Sequence, residues 1–155
     1  MKKGFTLIEL LVVIAIIGLL SSIVLVALGP ARKKARDARR ESDIRQISLA
    51  MEMCLDDSAC AVSGGYPPIT VSSNRISAST TIGTYLNPVP LDPGGGTGAC
   101  ATLVEPSAGT YCGVTGSTAT DYCIYATLSD GRVFAASEKG AQFMAGIPAS
   151  ITACP

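Results

Sequence analysis

The sequence predicts an α+β fold: a long N-terminal helix, apolar over its first half and amphipathic over its second, packed against a small antiparallel β-sheet. Three observations predict it. Phe5 to Leu28 is a run of 24 residues with one charge, Glu9. From Ala31 to Leu55, apolar or small residues recur at helical spacing. Asp121 to Ser137 reads as two runs of strand formers around an Asp-Gly turn.

The first element follows from length. At about 1.5 Å per residue, the apolar run reaches roughly 36 Å as a helix, enough to cross a hydrocarbon core of about 30 Å. A helix also satisfies its own backbone groups in lipid. The run exceeds the apolar core of a cleaved secretory signal, which is about 7–15 residues long. A membrane-spanning helix is therefore expected. Glu9 inside it costs at least about 2.5 kcal/mol on the mildest scale, which marks it as a functional candidate. Two plainer readings stand beside that one. Glu9 snorkels toward head groups, or it bonds to the Phe5 amine of its own chain, four positions away on the same helix face.

The stretch Lys3-Gly4-Phe5-Thr6-Leu7-Ile8-Glu9-Leu10 resembles the leader and N-terminus of type IV prepilins and type II secretion pseudopilins. The resemblance implies that prepilin peptidase cuts between Gly4 and Phe5 on the cytoplasmic side and that Phe5 is then N-methylated. It also implies that Glu9 pairs with the N-terminal amine of a neighbouring subunit during assembly. Physically, the exposed amine at the membrane edge needs an opposite charge in a low dielectric. The implied organisation is a leader at 1–4, a transmembrane and filament-core helix at 5–28, an amphipathic continuation at 29–57, and a globular head at 58–155. The implied function is that of a structural subunit, a homo-oligomer in a helical filament built on an inner-membrane assembly platform. Adhesion, motility and DNA uptake are the roles such pili serve. A periplasmic secretion pseudopilus is the alternative, and a membrane-anchored binding domain that never polymerises is the alternative of another class. The N-terminus would lie in the cytoplasm, with the head outside.

Gly18 and Pro30 are the weak points of the helix, as sites of a kink or of local loss of helical order. Beyond Pro30 the expected inward stripe is Ala31, Ala35, Ala38, Ser42, Ile47, Met51, Cys54 and Leu55. The charged face carries Lys33, Lys34, Arg36, Asp37, Arg39, Arg40, Glu41 and Asp43, and is expected to be solvated or to meet other subunits. Asp37–Arg40, Glu41–Arg45 and Lys33–Asp37 offset the like-charge pair Asp37–Glu41. The helix is expected to end between Leu55 and Ser58.

From Ser58 to Thr120 the chain is rich in Gly, Pro, Ser and Thr and reads as loop, with Ser77 to Leu86 as a possible short helix. Gly65-Tyr66-Pro67 and the run from Tyr85 to Pro93 are similar to the pseudopilin pattern. Asp121 to Leu128 reads as a strand with Tyr122, Ile124 and Ala126 on one face and Cys123, Tyr125 and Thr127 on the other. Ser129-Asp130-Gly131 is the hairpin turn and Arg132 to Ser137 the return strand. The tail from Ile147 to Cys154 adds an edge or clips back through Cys154.

Six cysteines (Cys54, Cys60, Cys100, Cys112, Cys123, Cys154), none spaced C-x-x-C, and no histidine favour three disulfides outside the cytoplasm over a zinc site. Of 15 possible pairings, Cys54–Cys60, Cys100–Cys112 and Cys123–Cys154 are expected. The first two close short loops and the third ties the chain end to a strand. The charge is zero overall but uneven. Seven of the twelve basic residues lie between Arg32 and Arg45, and from Gln46 onward three basic residues face eight acidic ones. Taken alone, the positive-inside rule would put Arg32 and all that follows in the cytoplasm; the cysteines and the N-terminal motif point the other way. A nucleic-acid contact is the sharper reading of the basic cluster, but no aromatic residue interleaves with it.

Without histidine there is no Ser-His-Asp or Cys-His catalysis. Gly94-Gly95-Gly96 lacks the Lys-Ser/Thr of a phosphate loop. Asp56, Asp57, Asp92, Asp121 and Asp130 form no dense calcium loop. Neither cofactor nor metal is expected, and the chain reads as the substrate of an enzyme rather than an enzyme.

Overall fold

The computed structural model describes residues 4–60, 64–67, 69–72, 75–78, 85–94, 111–115, 120–148 and 153–155. The chain divides into two compact units, Met1–Ala35 and Arg36–Pro155.

One helix, α1, runs from Leu7 to Asp56. It starts where Thr6 caps it. It stops where Asp57 turns the chain: the Asp57 amide bonds to the Cys54 carbonyl at 3.2 Å, and the Asp57 carboxylate accepts from the Ala59 amide at 2.9 Å. Helical conformation continues through Gly18, Gly29 and Pro30. Pro30 costs this helix one backbone bond, since it has no N–H to offer the Val26 carbonyl. In the first unit the apolar side chains find no cover: Phe5, Leu7, Ile8, Leu19, Ile23, Leu25 and Val26 are all more than half exposed.

The second unit holds the β-structure. Strands β1 (Ile69–Ser72) and β2 (Arg75–Ala78) pair as an antiparallel hairpin. Strands β3 (Tyr111–Thr115), β4 (Tyr122–Thr127), β5 (Val133–Ser137) and β6 (Gly140–Met144) form a four-stranded antiparallel sheet in chain order. The register sets Tyr111, Ala126, Phe134 and Phe143 in one row, and Gly113, Ile124, Ala136 and Ala141 in the next. Period-2 alternation sorts the side chains into two cores. On the α1 side, Ile44, Ile47, Ala50 and Met51 pack with Tyr66, Ile69, Tyr111, Tyr122, Ile124, Ala126, Phe134 and Ala136. On the other side, Cys112, Cys123, Tyr125, Val133, Ala135 and Cys154 form a second cluster. Gly113 is glycine for space: a Cβ there would meet Ile124 Cγ2 at 2.9 Å and Ile69 Cγ2 at 3.0 Å. The β4–β5 turn has Gly131 at φ +86°, the positive value that the Asp-Gly pair suits.

Several expectations are corrected. Arg40 and Asp43 are buried, not part of a solvated face, while Ala31, Ala35, Ala38 and Ser42 are exposed. The inward stripe is Arg40, Asp43, Ile44, Ile47, Ala50, Met51 and Cys54. Its spacing is helical, but its first two members are charged and satisfied by partners, so an apolar pattern passes over them. The stretch read as loop contains β1, β2 and β3. Ser77 and Ala78 lie in β2 rather than opening a helix, and 79–84 lie outside the described residues. The sheet also has a fourth strand, β6, after the two-residue turn Glu138-Lys139, with Gly140 at φ +121°.

Candidate functional site

The N-terminal site is built from the side chains of Phe5, Thr6 and Glu9 and the Gly4–Phe5 peptide bond. Gly4, Phe5 and Thr6 precede the first helical residue, so the Gly4–Phe5 bond lies outside α1. Phe5 is 74% exposed, and a Cβ on Gly4 would meet nothing within 4 Å. Packing within the chain therefore gives no reason for glycine at position 4. Glu9 Oε2 accepts from the Thr6 amide at 2.8 Å and from the Thr6 hydroxyl at 2.6 Å. Thr6 Oγ1 in turn accepts from the Glu9 amide at 3.3 Å. This reciprocal pair is a capping box, which satisfies amides that the first helical turn would otherwise leave open. Of the two plainer readings of Glu9, the local bond exists, but its donor is Thr6 and not Phe5. The Thr-x-x-Glu spacing is the sequence signal for this, and apolar patterning does not contain it. Glu9 Oε1 makes no hydrogen bond among the described residues. One carboxylate oxygen thus caps the helix, and the other is open to a cation, with the positive end of the helix dipole beside it.

Gly18 and Pro30 lie within α1, and Gly18 meets nothing at its Cβ position. Cys54 is joined to Cys60 with Cα atoms 5.1 Å apart, and Cys123 to Cys154 at 5.9 Å. Cys112 is also disulfide-bonded; Cys100, its expected partner, lies outside the described residues.

Of a second constellation, inside the second unit, sequence reasoning found only the Asp37–Arg40 pair. Arg40 Nε donates to Asp92 Oδ2 at 2.8 Å and Nη2 to Asp92 Oδ1 at 3.1 Å, a two-pronged pair with both side chains buried. Arg40 Nη1 also reaches Asp37 Oδ1 at 2.9 Å. The Asp92 carboxylate, accepting these bonds, holds the Arg40 proton more tightly, against the opposing effect of burial. Tyr111 donates its hydroxyl to Asp43 at 2.6 Å, and Asp37 receives the Ser129 amide at 3.1 Å and the Ser129 hydroxyl. At the other end of this helix segment, the Tyr85 hydroxyl donates to Asp57 at 2.7 Å. The proline-rich segment 85–92 is therefore fastened at Asp57, just beyond the end of α1, and at Arg40 within it. Among the described residues no group of three or more His, Cys, Asp or Glu side chains could hold a metal ion. The polar cluster fastens the segment 85–92 and the turn at Ser129 to α1.

Residues 1–25 match a family model described as the prokaryotic N-terminal methylation motif. A probable minor fimbrial protein of Dichelobacter nodosus is 39% identical over 85 residues, covering 52% of this chain and 54% of the relative. A type IV major fimbrial protein, FimA, of the same organism is 40% identical over 57 residues, covering 37% of this chain and 36% of the relative. The match thus spans about half the length of the first of these relatives and about a third of the second. No solved structure matches. The chain carries the methylation motif over residues 1–25, is similar to type IV fimbrial proteins, and combines a long helix with a small antiparallel sheet. Helix α1 contains a stretch of mean hydropathy 3.1, long and apolar enough to cross a membrane.

Proposed function

We propose that this chain is a structural subunit of a type IV pilus. It is stored in the cytoplasmic membrane, cut by prepilin peptidase between Gly4 and Phe5, N-methylated on Phe5, and polymerised through α1 on an inner-membrane assembly platform. It is the substrate of an enzyme rather than an enzyme. The single observation that carries this reading is the uncovered apolar run of α1, headed by a carboxylate with one oxygen free. Such a rod needs lipid before assembly and sibling helices afterwards. Glu9 answers the positive charge of a neighbour's N-terminus, and the globular head, 58–155, faces outward. Gly18 and Pro30 are the positions where α1 yields as subunits pack.

Mass spectrometry of the mature chain tests this. An N-methylated Phe5 terminus is the expected result; a retained Met1 in a protein that stays as single anchored copies overturns it. Imaging surface appendages and identifying their subunits separates a pilus from a periplasmic pseudopilus.

A further inference from the structure

The basic cluster is the one sequence feature that assembly leaves without a use. Its members do not behave alike. Arg39 and Arg40 turn to carboxylates of the second unit, Asp43 at 3.6 Å for Arg39, Asp37 and Asp92 for Arg40. Arg32, Lys33 and Lys34, in the first unit, are exposed and pair with no carboxylate among the described residues. Only Gly29, Pro30 and Ala31 separate them from the end of the apolar run.

We infer that Arg32, Lys33 and Lys34 form a collar that binds the phosphate head groups of anionic phospholipids. The inference rests on the membrane-stored form proposed above. Two pieces of geometry select lipid. With about 1.5 Å per residue, Arg32 stands roughly 6 Å beyond Leu28, within the head-group layer that adds about 5–7 Å to each side of the hydrocarbon. Three consecutive helical residues point about 100° apart and so cover some 200° of the circumference. A layer of head groups surrounds a helix and meets all three. The phosphate ridge of a nucleic acid, or an acidic face on another protein, meets one or two. Their long aliphatic stems also let these side chains lie against the lipid boundary with the charge in water. The collar fixes the depth at which the rod rests before it is drawn into a filament.

The test uses the full chain in nanodiscs of equal phosphatidylcholine and phosphatidylglycerol, with native mass spectrometry counting the lipids that stay bound. Each basic side chain near an anionic surface favours contact by a factor of about five, so retained phosphatidylglycerol should exceed phosphatidylcholine at least about tenfold. The variant R32Q/K33Q/K34Q should lose the preference, and K139Q, a charge on the head, should keep it. Raising the salt on the wild-type chain should erase it as well, which keeps the test intact if the triple variant misfolds. Equal retention of both lipids by the wild-type chain overturns the inference, as does an undiminished preference in a folded triple variant. So does tighter binding of a DNA duplex that phosphatidylglycerol does not displace. Flotation with phosphatidylcholine vesicles separates the two readings. A wild-type chain that floats without lipid preference refutes only the collar, and one that does not float refutes membrane storage and the collar together.

Discussion

At the scale of single residues, Glu9 has one task in the structure and a second in the proposed function. Its Oε2 caps α1 through Thr6, and in the proposed function its charge answers an amine in the filament. Glutamine serves the N3 position of a capping box but carries no charge. Glu9→Gln should therefore keep the helix start, membrane insertion and peptidase cleavage, yet yield no filaments. Glu9→Ala should lose both cap and filaments. Thr6→Ala should cost about 1 kcal/mol at the helix start and still give filaments. Counting sheared filaments beside amide exchange at residues 6–9 checks all three, and abundant filaments from Glu9→Gln would defeat the charge role. Arg40 and Asp92 supply the second residue-scale test. Removing one partner of a buried, two-pronged ion pair leaves an uncompensated charge and costs about 3–5 kcal/mol. Asp92→Ala should fall near the low end, about 3 kcal/mol, because Arg40 keeps Asp37. Pairing it with Arg40→Met should cost less than the two changes added, since no buried cation remains. Urea unfolding of the single and double variants reads the coupling directly.

At the scale of elements, the contact between α1 and the sheet is lined with tyrosines. Tyr66 and Tyr122 point their hydroxyls at Glu52, and Tyr111 points at Asp43. Burial first, and neighbouring carboxylates second, push all three above the ordinary value of 10.0, although Ser48 partly offsets this at Tyr122. Below pH 10 each is neutral in both folded and unfolded chains, and the contact keeps its full stability. Above it, the unfolded chain sheds these protons first, so stability falls with rising pH, by up to about 1.4 kcal/mol per pH unit for each tyrosine in the window. Tyrosinate absorbance and loss of far-ultraviolet ellipticity should therefore rise together in one alkaline transition. Tyrosinates forming well before the fold is lost would mean these rings are not buried as described. The same contact shows what could be read from the sequence. The β4–β5 hairpin was legible because its strand formers alternate around Asp130-Gly131. The helix was legible because an apolar run of membrane-spanning length is followed by a stretch with helical spacing. The strands β1, β2 and β3 were hidden among turn residues, and β6 follows Glu138-Lys139, a pair with no turn signature. The fastening of Asp92 to Arg40 joins residues 52 positions apart, and no local pattern carries that distance.

At the scale of the whole molecule, among the described residues both apolar cores belong to Arg36–Pro155, and none of their members to the rod before it. A chain lacking residues 1–30 should therefore fold by itself, stay monomeric without detergent, and unfold in one cooperative step. Its disulfides should contribute unequally. Loop-closure entropy grows with the length enclosed, so Cys123–Cys154, separated by 31 positions, should contribute about 4 kcal/mol, and Cys54–Cys60, separated by 6, about 2 kcal/mol. Cys123→Ser with Cys154→Ser should thus lower the melting temperature further than Cys54→Ser with Cys60→Ser. The full-length chain, in contrast, carries the exposed apolar run of 5–28, and should precipitate unless lipid, detergent or other copies cover that run. If the shortened chain aggregates or remains unfolded, the head draws stability from the rod, and the division of labour between a folding domain and an assembling helix fails. If it melts cooperatively while the full chain needs a partner for its helix, then the apolar run contributes to assembly and nothing to folding, which is the property a subunit must have to be kept folded in a membrane and then moved into a filament.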